Sequence, residues 1–125
     1  MSEAVSIAMH GMILIARSEK SINVQDIVEA TNTSKHHVAK VMQRLVKENF
    51  LSSQRGPTGG FVLKKKANEI SLLNIWEAIE GKIEITNCPL DKPICAFEKC
   101  FLNNVTNKFS HELKKYLEET TLDKI

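Results

Sequence analysis

The sequence predicts a mainly α chain with a small β wing: a winged helix-turn-helix followed by a long C-terminal dimerisation helix. Three observations predict it. Two short helical patterns, each with its own capping residue, are separated only by Asn32, Thr33 and Ser34. Two short apolar runs flank Arg55-Gly56-Pro57-Thr58-Gly59-Gly60, a stretch with the composition of a hairpin tip. A narrow apolar seam returns near the end of the chain, with lysines and glutamates lying off it.

The first helix is expected from Glu3 to about Ser18. Val5, Met9, Met12, Ile13 and Ala16 share one face by spacing, and Ile7, Leu14 and Ile15 make a second apolar side. A helix apolar on two sides is buried on two sides, which in so small a chain points to a partner subunit. Asn23 is a good N-cap with Asp26 at the third helical position, so a helix follows from Val24 to about Thr31, with Val24, Ile27 and Val28 inward. The next helix runs from Lys35 to about Glu48, with Val38, Val41, Met42, Leu45 and Val46 inward and Asn49 as a left-handed stop. Strands are expected over Phe50 to Gln54 and Phe61 to Lys64. Ser71 caps a helix over Leu72 to Glu80, with Leu72, Ile75, Trp76 and Ile79 inward and Gly81 at its end. Residues 82–100 hold two prolines, three cysteines and no clear period, and read as a loop. From about Phe101 to Glu119 a long helix carries the seam Leu102, Val105, Phe109, Leu113 and Tyr116, and Leu122 and Ile125 form a last docking turn.

The organisation that follows has three parts. Residues 1–81 form the winged helix-turn-helix, whose first helix also serves a dimer interface; 82–100 form a cysteine sensor loop; 101–125 form the dimerisation helix and docking turn. The total of 125 residues, 42% hydrophobic and 26% charged, is the balance of an ordinary single domain. A (β/α)8 enzyme, at ~250 residues, does not fit. The start Met1-Ser2-Glu3-Ala4-Val5 lacks the basic opening of a signal peptide, and the apolar run Met12 to Ala16 is far below a membrane span of ~20 residues. A cytoplasmic location, with reduced thiols, is the expectation. No Ser/His/Asp constellation, phosphate loop or carboxylate pair suggests an enzyme, and His111-Glu112 lacks the second His of a helical zinc protease. No small-molecule substrate is expected.

The net charge of +2 conceals a segregation. Between Thr33 and Lys66 lie Lys35, Lys40, Arg44, Lys47, Arg55, Lys64, Lys65 and Lys66 against the single acid Glu48, so this segment carries +7 and the rest of the chain −5. A lysine run alone is commonly a solvated face. A basic second helix joined to a basic wing is where this fold meets the phosphate backbone of double-stranded DNA. The candidate contacts are Ser34, Lys35, His36, His37, Lys40 and Arg44 on the recognition helix, and Arg55, Gly56, Pro57, Thr58 and Gly59 on the wing. His36 and His37 sit where such helices read bases, and Arg55 is placed to enter a minor groove.

The cysteines follow the pattern Cys88-x6-Cys95-x4-Cys100. Three thiolates on one loop can converge on a metal centre, and iron–sulfur clusters accept a non-cysteine ligand at one position. Zinc usually requires closer Cys pairs, and a metal-free thiol switch is a third option.

Three stretches together resemble a known family: Thr33-Ser34-Lys35-His36-His37-Val38-Ala39-Lys40-Val41, then Arg55 through Leu63 of the wing, then Glu69-Ile70-Ser71-Leu72-Leu73-Asn74-Ile75, followed by the three cysteines. The chain is similar to the Rrf2 family of bacterial regulators over nearly its whole length. The resemblance implies a homodimer binding a palindromic operator, with Cys88, Cys95 and Cys100 ligating a 2Fe–2S or 4Fe–4S cluster that alters DNA affinity. Branches of that family differ in the fourth ligand. One uses a His just after the last cysteine, where this chain has Asn103. Another uses an acid of the partner's first helix, where this chain has Ser6, and a third uses a His one turn further on, which His10 matches. By that resemblance His10 of the partner subunit is the candidate fourth ligand. A cluster-free regulator, responding to thiol oxidation or a protein partner, and a winged helix that binds only proteins are the competing readings.

Overall fold

The computed structural model describes residues 2–57, 59–83 and 105–125. Its helices are α1 (Glu3–Arg17), α2 (Val24–Thr31), α3 (Lys35–Lys47), α4 (Leu72–Glu80) and α5 (Val105–Glu119), with 3-10 turns at Ala67–Glu69 and Leu122–Lys124. Two antiparallel strands, β1 (Leu51–Gln54) and β2 (Gly60–Leu63), form the wing. Each expected element within the described residues is present, shifted by one residue or so where ends fray. The cysteine loop falls outside the described residues, as do Thr58 and the stretch Phe101 to Asn104 expected to open the last helix.

Local chemistry explains the helix ends. The Asn23 side chain accepts from the Asp26 N–H at 2.8 Å while Asp26 Oδ2 accepts from the Asn23 N–H at 3.0 Å, a reciprocal capping box. Ser71 and Asn74 repeat the arrangement at the start of α4. Asn49 stops α3 with φ 67, and Asn32 ends α2 with φ 52; Asn tolerates this left-handed region better than most residues. In the wing, Leu51 pairs with Leu63 and Gln54 with Gly60. Ile22 adds a bridge to Phe61, its N–H donating to the Phe61 carbonyl at 3.1 Å and its carbonyl accepting from the Phe61 N–H at 2.7 Å. That approach leaves no room at Gly60, where a Cβ would lie 2.6 Å from the Ile22 carbonyl oxygen.

The core gathers around α1, which packs against α2, α3, α4 and β2. Val5, Ile7, Ala8, Met12 and Ile15 of α1 are buried with Ile27, Val38, Met42, Leu45, Ile70 and Ile75. Ile7 and Ile15, from the second apolar side of α1, are thus buried within one chain, because α1 runs through the middle of the domain rather than along its edge.

The C-terminal part differs from the expected seam. Leu117, outside that seam, is buried, and Leu113 packs beside it against the core. Val105, Phe109 and Tyr116 are 58%, 62% and 62% exposed. The helix therefore carries two stripes: Leu113 and Leu117, one turn apart, face α4, while the other three look outward. Leu122 docks as expected, its N–H donating to the Ile70 carbonyl at 3.0 Å, and the Leu72 N–H donates to the Thr120 carbonyl at 2.9 Å. Ile125, expected to share the docking, is 45% exposed because the chain turns away after Leu122.

Gly60→Ala is expected to lower stability by about 1–3 kcal/mol, since a backbone carbonyl must move. Ser71→Ala, which removes one cap, is expected to cost about 1 kcal/mol. Urea unfolding of each variant, followed by circular dichroism, checks both.

Candidate nucleic-acid interface

Helix α3 buries Val38, Val41, Met42 and Leu45 and turns its polar residues outward. Lys35, His36, Lys40, Arg44 and Lys47 are exposed, so three lysines, an arginine and a histidine line the free side of one helix. Its N-terminus is organised by Ser34, whose hydroxyl accepts from the His37 N–H at 3.1 Å. Ser34 is thereby a cap as well as a candidate contact.

Two of the predicted contacts have partners inside the domain. His37 is half-buried, and its Nδ1 lies 3.1 Å from Oε1 of Glu3 on α1. Arg44 reaches back across the domain: its Nε donates to the Ala78 carbonyl of α4 at 3.1 Å, and its Nη2 lies 3.4 Å from Glu48. The Ala78 carbonyl belongs to the last turn of α4, where carbonyls lack intrahelical partners. Arg44 therefore joins the recognition helix to α4, a role that charge counting does not reveal. Lys64 and Lys65 of the basic run are similarly occupied: Lys64 Nζ donates to Asn49 Oδ1 at 3.2 Å, and Lys65 Nζ sits 5.0 Å from the centre of the Phe50 ring.

At the wing, Arg55, Gly56 and Pro57 are exposed. The Gly59 N–H donates to the Gly56 carbonyl at 2.9 Å, closing a tight turn, and Gly56 adopts φ 111. A Cβ on Gly59 would fall 2.5 Å from the Gln54 carbonyl oxygen, so the turn requires glycine there.

An open groove connects these parts. It is bounded by Lys35 at the start of α3, by Arg55 and Ser53 on the wing, and by Asn23 and Gln25 at the start of α2. The fold thus brings Lys35 and Arg55, twenty residues apart in sequence, to the same groove. Asn23, Gln25 and Ser53 were not predicted. Their sequence signal was the capping residue of α2 and the outward positions of β1.

His10 lies on the exposed side of α1, with its Nδ1 at 2.7 Å from the Ser6 backbone carbonyl. A carbonyl only accepts, so Nδ1 carries the hydrogen and Nε2 keeps its lone pair. Nε2 is then the ring nitrogen left to bind a metal. Cys88, Cys95, Cys100 and Asn103 lie outside the described residues. Among the described residues no three His, Cys, Asp or Glu side chains are arranged to hold a metal, and no helix is long and apolar enough to cross a membrane.

Comparison with known proteins agrees with this architecture. The family described as Rrf2, iron-dependent transcriptional regulator, matches residues 1–125. The HTH-type transcriptional regulator IscR of Pectobacterium atrosepticum is 26% identical over 113 residues, 90% of this chain and 69% of that protein. Its namesake from Escherichia coli O1:K1 is 26% identical over 120 residues, 94% of this chain and 74% of that protein. Among solved structures, CymR, the global cysteine regulator of B. subtilis, superposes with a TM-score of 0.76 at 23% identity, covering 99% of this chain and 93% of that one. T. potens IscR superposes with a TM-score of 0.75 at 20% identity, covering 99% and 83%. These likenesses are to transcriptional regulators, not enzymes, and both structures carry the fold described above.

Arg44→Ala is expected to cost about 1 kcal/mol of stability by leaving the Ala78 carbonyl without its donor. Urea unfolding measures that loss, and Lys40→Ala, whose side chain is exposed, is expected to leave stability within about 0.5 kcal/mol of the parent.

Proposed function

We propose a function from one premise: this chain belongs to the Rrf2 family of transcriptional regulators. It acts as a homodimer that binds a palindromic operator in double-stranded DNA, as a repressor, in the cytoplasm. Binding is switched by an iron–sulfur cluster. The observation that carries the DNA-binding part is the exposed basic side of α3, with Lys35, Lys40 and Lys47, next to an exposed Arg55 on the wing. Lys35, His36 and Lys40 enter the major groove with α3, and Arg55 with Gly56, Pro57, Thr58 and Gly59 follows the adjacent minor groove or backbone. Ser34 organises the end of α3 that faces the bases.

The outward stripe of Val105, Phe109 and Tyr116 supports a pairing of α5 with a second copy. Exposed aromatic and aliphatic residues at helical spacing are what such a seam buries. A two-fold dimer presents two α3 helices to half-sites one helical turn apart, ~34 Å. A small change in the setting of the two halves then removes their simultaneous fit.

Cys88, Cys95 and Cys100 of one protomer, with His10 of the partner subunit, would hold the cluster. The donor set suits it: three thiols within thirteen residues of sequence and an exposed imidazole whose Nδ1 is already committed to the Ser6 carbonyl. When bound, the cluster supplies a redox- and iron-dependent tie between the two subunits. The residues of the chain do the rest: Ser6 orients His10, α1 carries both toward α3, and α3 meets the DNA. Asn103 and Ser6, standing where other branches of the family place a ligand, favour a second reading, a cluster-free regulator that responds through oxidation of the same cysteines or through a protein partner.

Anaerobic purification with iron and sulfide quantification and a visible spectrum separates the two. A coloured protein that loses its absorption in Cys88→Ala is expected. Colourless protein after anaerobic reconstitution, with DNA binding indifferent to iron and sulfide, establishes the cluster-free reading instead. DNA affinity is expected to fall steeply with salt, by about 0.9 logarithmic units per decade for each phosphate contact. Lys40→Ala and Arg55→Ala each reduce that slope by about one contact. A flat salt dependence on every duplex tested removes the DNA-binding reading.

A further inference from the structure

We propose that Glu3 is a positioning residue that presets His37 as a hydrogen-bond acceptor for the exocyclic amino group of a base in the major groove. The proposal rests on the DNA-binding reading and narrows it to one atom. Nδ1 of His37 lies 3.1 Å from Glu3 Oε1. An ionised carboxylate only accepts, so Nδ1 carries the hydrogen. In the neutral imidazole Nε2, at the other end of the ring, then presents a lone pair. The backbone that carries the ring is fixed as well, because the His37 backbone N–H donates to the Ser34 hydroxyl at 3.1 Å. His37 is the third residue of α3, in the N-terminal part from which recognition helices contact bases.

An acceptor at this position discriminates. In the major groove adenine offers an N6 amino donor and cytosine an N4 amino donor, whereas guanine offers only the acceptors N7 and O6. Phosphate oxygens also only accept, so this lone pair has no use for the backbone. Stability does not account for the contact: the side chains of His37 and Glu3 are 35% and 62% exposed, and such pairs contribute little to folding. Affinity does not account for it either, since a carboxylate beside a +7 segment works against binding a polyanion. Orientation of His37 is the contribution that remains.

The test uses the full-length protein and a pool of duplexes with a random core of roughly 30 base pairs, three helical turns. The parent, Glu3→Ala, Glu3→Gln and His37→Ala each select sequences from it. The parent is expected to enrich one base pair at one symmetric position per half-site, where the amino group of its adenine or cytosine meets His37. Duplexes carrying purine in place of that adenine, or 2-pyrimidinone in place of that cytosine, lack the amino group, and they tell which base is read. Their affinity is expected to be about three- to ten-fold lower. Glu3→Ala loses the preference at that position alone and melts at the same temperature as the parent. Glu3→Gln keeps it, because the amide oxygen still accepts from Nδ1. His37→Ala loses it, and the double variant loses nothing more. Affinity unchanged by removal of the amino group at every selected position, or an unchanged preference in Glu3→Ala, overturns the proposal. If the parent enriches no sequence at all, the DNA-binding reading itself falls.

Discussion

Helix α1 meets the helix-turn-helix at Gly11, where the tip of the Met42 side chain fills the space a Cβ would take. A Cβ at that position would lie 2.7 Å from Met42 Cε and 3.4 Å from Ile27 Cδ1, so the three helices meet where one of them has no side chain. A glycine inside a helix costs about 1 kcal/mol relative to alanine. Burial of Met12, Ile27 and Met42 around it more than offsets that, at roughly 1.5–3 kcal/mol for each large apolar side chain taken from water. This packing, with Ile7, Ala8, Val38, Val41 and Leu45 in the same core, holds α3 against α1 and turns its polar face outward.

Two polar contacts refine what the packing sets. Glu3, at the start of α1, reaches the first turn of α3 through His37, and Arg44, near the end of α3, reaches the last turn of α4 through the Ala78 carbonyl. The recognition helix is therefore tied at one end to α1 and at the other to α4. Helix α4 is tied in turn to the chain terminus through the Ile70–Leu122 and Leu72–Thr120 hydrogen bonds.

Much of this was legible in the sequence because the signals are local. Asn23, Ser34 and Ser71 announce helix starts by their own side-chain chemistry, and Asn49 and Gly81 announce ends. The hairpin tip is written in the glycines and Pro57 between two short apolar runs. Lys35, His36, Lys40 and Arg55, read from the charge pattern, are exposed side chains. The C-terminal helix was less legible. Its apolar residues at 3–4 spacing read as one seam, yet Leu113 and Leu117 face α4 while Val105, Phe109 and Tyr116 face outward, because periodicity counts apolar positions and does not say which neighbour each one meets.

By itself the sequence determined the order and type of the elements, the concentration of positive charge on one helix and its wing, and the cluster of three cysteines after α4. These depend on side chains acting within a few residues of one another. Only the tertiary structure decided which charges are free. Arg44 and Lys64 count equally with Lys40 in a charge sum, yet Arg44 donates to Ala78, thirty-four residues away, and Lys64 to Asn49. The tertiary structure also set Glu3 beside His37 and put Lys35 and Arg55 on one groove. The reason is that a hydrogen bond between residues far apart in the chain depends on how the helices cross, and that crossing is set by shape complementarity in the core at Gly11 and Met42, which no local pattern records.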